Sequence, residues 1–300
     1  MRANAMLRLA AEAMAEDIAA LVARYGAARV GVVLGASNTG VDEAENHVDA
    51  WLDSGAKPEE MTFDMLELGT PALFLQRLVG AEGPAYTVST ACSSATKAFG
   101  SARRLIESGV CDAVVTGGVD GRCRLAMNGF HALGALAEGR CRPLAEDRDG
   151  INLGEGVALF ALEREEAARP GCPLLAGVGE SSDACHATAP DPEGRGAEAA
   201  MRAALDDAGL APGDIGYLNL HGTGTQANDA MEMLAVDRVF GEKKPLVEST
   251  KDLTGHCLGA AGAVEAAICL CRLSEGAHRV AMSNSFAFGG SNASIVFAAR

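Results

Sequence analysis

The chain has 300 residues, a length that sets an expectation of about two domains of ~150 residues each. Hydrophobic residues make up 48% and charged residues 22%, the balance of a globular protein with a large core; aromatics reach only 4% against 36 glycines, so that core is aliphatic and close-packed. A formal net charge of -15 disfavours a nucleic-acid binder, although Arg103, Arg104, Arg122 and Arg124 could form a local basic patch for an acidic partner, set against the plainer reading of four solvated arginines.

Taken in chain order, residues 3–24 read as an amphipathic helix with acids inside it, which is no signal peptide. No uninterrupted apolar stretch of ~18 residues occurs, so no membrane span is expected. The nine cysteines, an odd number, fit the reduced thiols of a cytosol. Residues 29–35 predict a short buried strand. Residues 86–89 predict another, running directly into a helix over 93–108, and strands follow at 112–118 and 156–163. The polar stretch from Glu163 to Pro173 ends in Pro-Gly-Cys-Pro and reads as a link between two halves, 1–165 and 166–300.

The second half repeats the plan. A strand is predicted at 174–178, a helix at 196–209 and a strand at 215–220 that ends on His221. A helix from about Asp229, a strand at 245–249 and a helix from about Ala260 follow, then closing strands at 279–283 and 291–298. The alternation defines an α/β protein in which one unit is used twice. Cys269 and Cys271 fall in an apolar helical run and are expected as core thiols. With no two CxxC pairs, a zinc site has little support.

Catalytic groups in such sheets gather at the carboxyl ends of strands, beside helix N-termini. Cys92, His221, Lys251, His256 and the Phe288-Gly289-Gly290 segment all fall at strand ends. Cys92, in Thr-Ala-Cys-Ser-Ser-Ala, sits at a strand-to-helix turn. The helix dipole and unpaired N–H groups there favour a thiolate, and so a nucleophile at neutral pH; the competing reading is a buried structural cysteine. His221-Gly-Thr223-Gly-Thr225 holds an imidazole at a strand tip. Its glycines also suggest a phosphate loop, but the Gly-Lys-Ser/Thr ending of a P-loop is absent. His256 alone reads as a satisfied core histidine; beside Cys92 and His221 it completes a nucleophile with two imidazoles. Such a set suits acyl transfer to the thiol followed by decarboxylation, with neutral imidazole N–H groups stabilising the enolate oxyanion. Backbone N–H groups of Cys92 and of the Phe288-Gly289 segment are candidates for the second oxyanion hole. A plain cysteine hydrolase needs only one histidine and an orienting side chain.

The stretch from Tyr86 onward resembles the β-ketoacyl synthases of the thiolase superfamily, of the elongating fatty-acid and polyketide kind. The resemblance rests on T-A-C-S-S-A at Cys92, H-G-T-G-T at His221, S-T-K-x-x-x-G-H-x-L-G-A-A-G at Lys251 and His256, and N-S-F-A-F-G-G-S-N from Asn284. It implies a thiolase-like fold of two similar α/β halves stacked in five layers, αβαβα. Cys92 is then the acylated nucleophile, and His221 with His256 the decarboxylation pair. Lys251 becomes a structural and electrostatic lysine linked to Glu265, and Phe288 with Gly289, Thr223 and Thr225 forms the gate and substrate surround. The same resemblance implies an acyl-carrier protein as partner, a homodimer or ketosynthase heterodimer, and no need of metal or organic cofactor. It also implies a glycine-rich strand, central in the N-terminal sheet, ahead of the first helix, and a longer segment between Leu273 and Arg279. Both are missing here, which reads as a truncated synthase. Two rivals stand beside this reading. A thiolase would carry a second catalytic cysteine near the C-terminus, and none follows Cys271. A non-catalytic or truncated partner subunit of a ketosynthase heterodimer is favoured by the missing strand and disfavoured by retention of Cys92.

Overall fold

The computed structural model describes residues 1–300. Its elements are α1 (Arg2–Ala13), α2 (Ala15–Tyr25), β1 (Val30–Gly35), α3 (Val41–Ser54), α4 (Thr70–Val79), β2 (Ala85–Val88), α5 (Ser94–Glu107), β3 (Ala113–Asp120), α6 (Arg124–Ala132) and β4 (Gly156–Glu163). The second half adds β5 (Leu174–Ser182), α7 (Arg195–Ala208), β6 (Tyr217–Asn219), α8 (Gln226–Phe240), β7 (Leu246–Glu248), α9 (Lys251–Thr254), α10 (Ala261–Ser274), β8 (Val280–Ala287) and β9 (Ser291–Ala298).

Two mixed sheets form, ordered β2-β1-β3-β4 and β5-β9-β8-β6-β7. Strands β1, β3 and β8 are buried along their whole length, as continuous apolar or small-residue runs must be when both faces of a sheet are covered. Helices α1, α2 and α4 pack the outer face of the first sheet. Helix α5 packs its inner face, and Phe99 of α5 with Ala266 and Cys269 of α10 packs the inner face of the second. Helices α7 and α8 cover the far side. The order helix, sheet, helix, sheet, helix is the five-layer thiolase-like architecture that the resemblance implied.

The two middle helices approach each other closely. A Cβ placed on Gly262 of α10 would lie 2.0 Å from Thr96 Oγ1 and 3.0 Å from Thr96 N of α5. Only hydrogen fits there. Nearby, Thr96 Oγ1 and Ser285 Oγ lie 2.7 Å apart and tie α5 to β8 across the halves.

Several expectations need correction. The first helix is two, broken at Met14, whose N–H bonds back to the Ala11 carbonyl at 3.1 Å. The C-terminal sheet has five strands even with the short Ser274–His278 connection, so no strand is missing from it. The N-terminal sheet has four. Superposing the orders by direction and connection pairs β1, β2, β3 and β4 with β6, β7, β8 and β9, so the unmatched strand is β5. The counterpart of β5 would lie outside β4 and antiparallel to it. The strand absent from the N-terminal sheet is therefore an edge strand, not a central one. A groove of about 750 Å³ runs there, lined among others by Leu21, Phe99, Phe160 and Leu162.

The arginine patch is also not free. Arg103 pairs with Glu107 and Asp207, Arg104 with Glu180, Arg122 with Glu155, and Arg124 with Glu45 and Asp49. Cys269 is buried as expected, but Cys271 is exposed. Two residues apart on a helix is about 200° of rotation, so the two side chains cannot share a face.

Candidate active site

Strand β2 ends at Val88 and α5 begins at Ser94; Cys92 sits in the turn between them. Ala91 takes a left-handed φ of 51° to make that turn. The strain is held by side chains: Thr90 N donates to Ser94 Oγ at 2.9 Å, and Ser94 Oγ and Ser93 Oγ donate back to the carbonyls of Ala91 and Thr90. The sharp turn aims the thiol away from the helix toward the C-terminal half.

His221 follows β6, and its peptide N–H donates to Glu232 Oε1 of α8 at 2.8 Å. Gly222, at φ 38°, lets the chain fold back so that its own N–H reaches Glu232 Oε2 at 2.7 Å. Burial raises Glu232 to about 7, against the pull of those donors. His256 lies between α9 and α10, and its backbone is pinned on both sides: its N–H donates to Asn152 O at 2.7 Å and its carbonyl accepts from Gly154 N at 3.0 Å.

The structure brings the three predicted residues together. His256 Nε2 is 2.9 Å from Cys92 Sγ. The two imidazoles stand edge to face, with centroids 5.3 Å apart and planes at 82°. One ligand-capable atom from each of the three lies within 4.8 Å of the others. All three are almost fully buried. Lys251 is buried as well; its Nζ donates to the His221 carbonyl and pairs with Glu265, the link the resemblance implied.

Burial dominates the electrostatics. It drives both imidazoles well below their ordinary 6.5, and the Lys251 ammonium lowers them further. They are therefore neutral at pH 7 and able to donate from one ring nitrogen. The same burial pushes Cys92 from an ordinary 9.0 up to about 12, although Lys251 opposes the shift. That is about a thousandfold in proton affinity, whereas a helix end supplies at most ~2 kcal/mol, or about thirtyfold. Burial therefore works against the expected resting thiolate and favours a thiol held against the neutral His256 imidazole.

A cavity of about 210 Å³ opens above this cluster, lined mostly by apolar groups. Thr223 and Thr225 line it, their hydroxyls 3.0 Å apart, and Thr225 also caps α8 by accepting from Asn228 N. Phe288, half-buried, closes one side and stacks at 5.5 Å on Phe130 of α6. Gly289 is exposed and its N–H is spent on the Ala187 carbonyl, so within this segment Phe288 is the remaining oxyanion-hole candidate. Sequence reasoning did not single out Phe130 or Phe286, which also face the site, or Glu232, which holds the backbone of His221 and Gly222. Each belongs to an ordinary helical or strand pattern, and only the three-dimensional arrangement marks it.

A cysteine at a strained strand-to-helix turn, two neutral imidazoles and an apolar cavity, placed between two stacked α/β halves, mark a candidate acyl-transfer centre in a thiolase-like fold. Comparison with known proteins narrows the class. Residues 2–168 match the beta-ketoacyl synthase N-terminal domain and residues 174–281 its C-terminal domain. Nodulation protein E of Rhizobium meliloti is 38% identical over 305 residues, covering 90% of this chain and 76% of that protein. The 3-oxoacyl-[acyl-carrier-protein] synthase 2 of Staphylococcus aureus is 36% identical over 311 residues, covering 90% and 77%. Among solved structures, a ketosynthase in complex with its chain length factor from Xenorhabdus doucetiae superposes with a TM-score of 0.94 at 41% identity, covering 100% of this chain and 82% of that one. The chain belongs to the beta-ketoacyl synthase family.

Proposed function

We propose that this chain is a β-ketoacyl-[acyl-carrier-protein] synthase, which extends an acyl group in fatty acid or polyketide synthesis. The observation that carries the reading is the buried cluster of Cys92 with two neutral imidazoles at the floor of an apolar cavity. In the first half-reaction Cys92 Sγ attacks an acyl thioester while its proton passes to His256 Nε2. The carrier thiolate leaves and takes that proton, so the acyl group now sits on Cys92. In the second, a malonyl thioester loses carbon dioxide, and the electron pair of the broken C–C bond becomes an enolate. With Cys92 acylated, His256 no longer accepts from the thiol and takes up its Nε2–H tautomer; it and His221 then donate N–H bonds to the enolate oxygen, and because both are neutral they stabilise it without protonating its carbon. That carbon attacks the acyl-cysteine carbonyl, the C–S bond breaks, and the Cys92 thiolate regains a proton from solvent. The products are a β-ketoacyl thioester, carbon dioxide and a free carrier thiol.

Lys251 and Glu265 hold the His221 strand tip. Phe288, Gly289, Thr223 and Thr225 form the entrance, with Phe288 as gate. The partners in this reading are acyl- and malonyl-acyl-carrier proteins and a second ketosynthase-type subunit, in a homodimer or heterodimer. The halves 1–165 and 166–300 carry the nucleophile and the two histidines. No helix is long and apolar enough to cross a membrane, and a cytoplasmic location accords with the nine unpaired thiols. The test is intact-protein mass spectrometry after exposure to an acyl-carrier thioester, followed by carbon dioxide release from malonyl-carrier. One acyl mass should appear on the wild-type chain and be absent from Cys92→Ala. A folded chain that takes no acyl group sinks the reading.

A further inference from the structure

We propose that Asp120 is a positioning residue for the Cys92–His256 pair, fastening the floor beneath the nucleophile to the segment that carries the histidine. Asp120 is the last residue of β3 and is fully buried. Its carboxylate has no ion-pair partner and is satisfied by four donors from both halves of the molecule. Ser37 N donates at 3.0 and 2.9 Å to its two oxygens, Ser37 Oγ at 2.7 Å and Asn38 N at 2.8 Å. The fourth, Gly259 N, donates at 2.7 Å from the C-terminal half.

What these donors belong to is the reason for the assignment. Ser37 and Asn38 continue the backbone leaving β1, which lies directly under the first turn of α5. A Cβ on Gly35 would meet Ala95 N at 2.2 Å and the Ser94 carbonyl carbon at 2.5 Å. The height of the Cys92 turn is therefore set by the Gly35–Ser37 backbone. Gly259 is three residues beyond His256, in a stretch outside regular α-helix. Its Cα seats against that same backbone: a Cβ there would be 2.8 Å from both the Ala36 carbonyl carbon and Ser37 N. Asn152 and Gly154 hold one side of the His256 loop, and Asp120 holds the other. The carboxylate is thus the shared anchor of two backbone segments, one under Sγ and one bearing Nε2, whose side chains meet at 2.9 Å. Burial raises the proton affinity of Asp120, against the pull of its Ser37, Asn38 and Gly259 donors. As a carboxylate it acts with Glu265 against the Cys92 thiolate, whereas Lys251 favours it.

The inference rests on the synthase reading for its kinetic arm but not for its chemical arm. Asp120→Asn keeps the shape and supplies an amide nitrogen where an acceptor is needed. Per Cys92 titrated by iodoacetamide, kcat for carbon dioxide release should fall at least about tenfold, as expected for a reacting pair moved off its productive geometry, with the malonyl-carrier KM within about twofold. The pH profile of Cys92 alkylation should move to lower pH. If Asp120→Asn does not fold, Ser37→Ala removes one donor and should lower the same kcat about two- to fivefold. Wild-type kcat per titrated cysteine with an unmoved alkylation profile, in whichever variants fold, overturns the proposal, even if thermal stability is lost. Should the wild-type chain show no turnover, the alkylation profiles still decide Asp120, because they need no carrier substrate.

Discussion

At Cys92 the competition between burial and a helix end has a kinetic signature. The thiol is held up to about 12 by desolvation, so iodoacetamide alkylation of the empty protein should climb through pH 9 and 10 without a plateau. A plateau near pH 7 would show a stabilised thiolate instead. The imidazoles behave oppositely. Their depressed proton affinity means that the neutral form persists below pH 6.5 and is lost only further down. The acid limb of kcat/KM for condensation should therefore lie below 6.5, read from a pH–rate profile with single-turnover controls. Lys251 offers a stability test. Lys251→Met leaves Glu265 buried without its cation and should cost about 3–5 kcal/mol in urea unfolding. The double variant Lys251→Met/Glu265→Gln should recover more than half of that loss. Equal instability of single and double variants would show that the pair is not what Lys251 contributes.

At the scale of elements, α5 and α10 approach each other closely where Gly262 meets Thr96. Gly262→Ala gains helix propensity of about 0.8–1.0 kcal/mol but forces a backbone approach apart, and overpacking typically costs about 1–3 kcal/mol. The expected sum is a net loss of stability with acylation of Cys92 impaired, because α5 begins at the nucleophile. Differential scanning fluorimetry and the acylation assay check both halves of that statement.

Elements also show what could be read in the chain beforehand. Cys92, His221, Lys251 and His256 were legible because each stands in a local pattern of small residues just past a strand, where chain direction alone exposes them. Strands β4 and β9 were placed because their apolar runs have sharp polar or glycine ends. Helix α3 was not foreseen: of its 14 residues only Ala44 is buried, so it carries almost no apolar period to detect. Asp120 and Glu232 were invisible for a different reason. Asp120 takes its donors from positions 82 to 139 residues away in the chain, and nothing around Gly-Gly-Val-Asp-Gly announces them. The opposing pull of burial on Cys92 was not legible, because a helix start is visible in sequence while the depth of burial above it is not.

For the whole molecule, the asymmetry between the two sheets is the feature with physical consequences. In the second sheet β5 covers the outer side of β9 along eight paired positions, whereas β4, the counterpart of β9 in the first sheet, pairs only with β3. Hydrogen exchange should report this directly. Along Gly156–Glu163 one alternating set of amides points to β3 and the other outward, so the outward set should exchange about 100-fold faster or more, in the manner of locally unprotected groups. Uniform protection of β4 would mean that its outer edge is already paired in solution.

An unpaired strand is a template that accepts any extended chain with the right spacing. Closing it on another molecule is a second-order process, while folding of one chain is first order. Yield is then governed by protein concentration: on dilution each molecule completes its own fold, and on concentration the encounters between β4 edges outrun it. Refolding yield, read as acylatable Cys92, should therefore fall as protein concentration rises and recover on dilution.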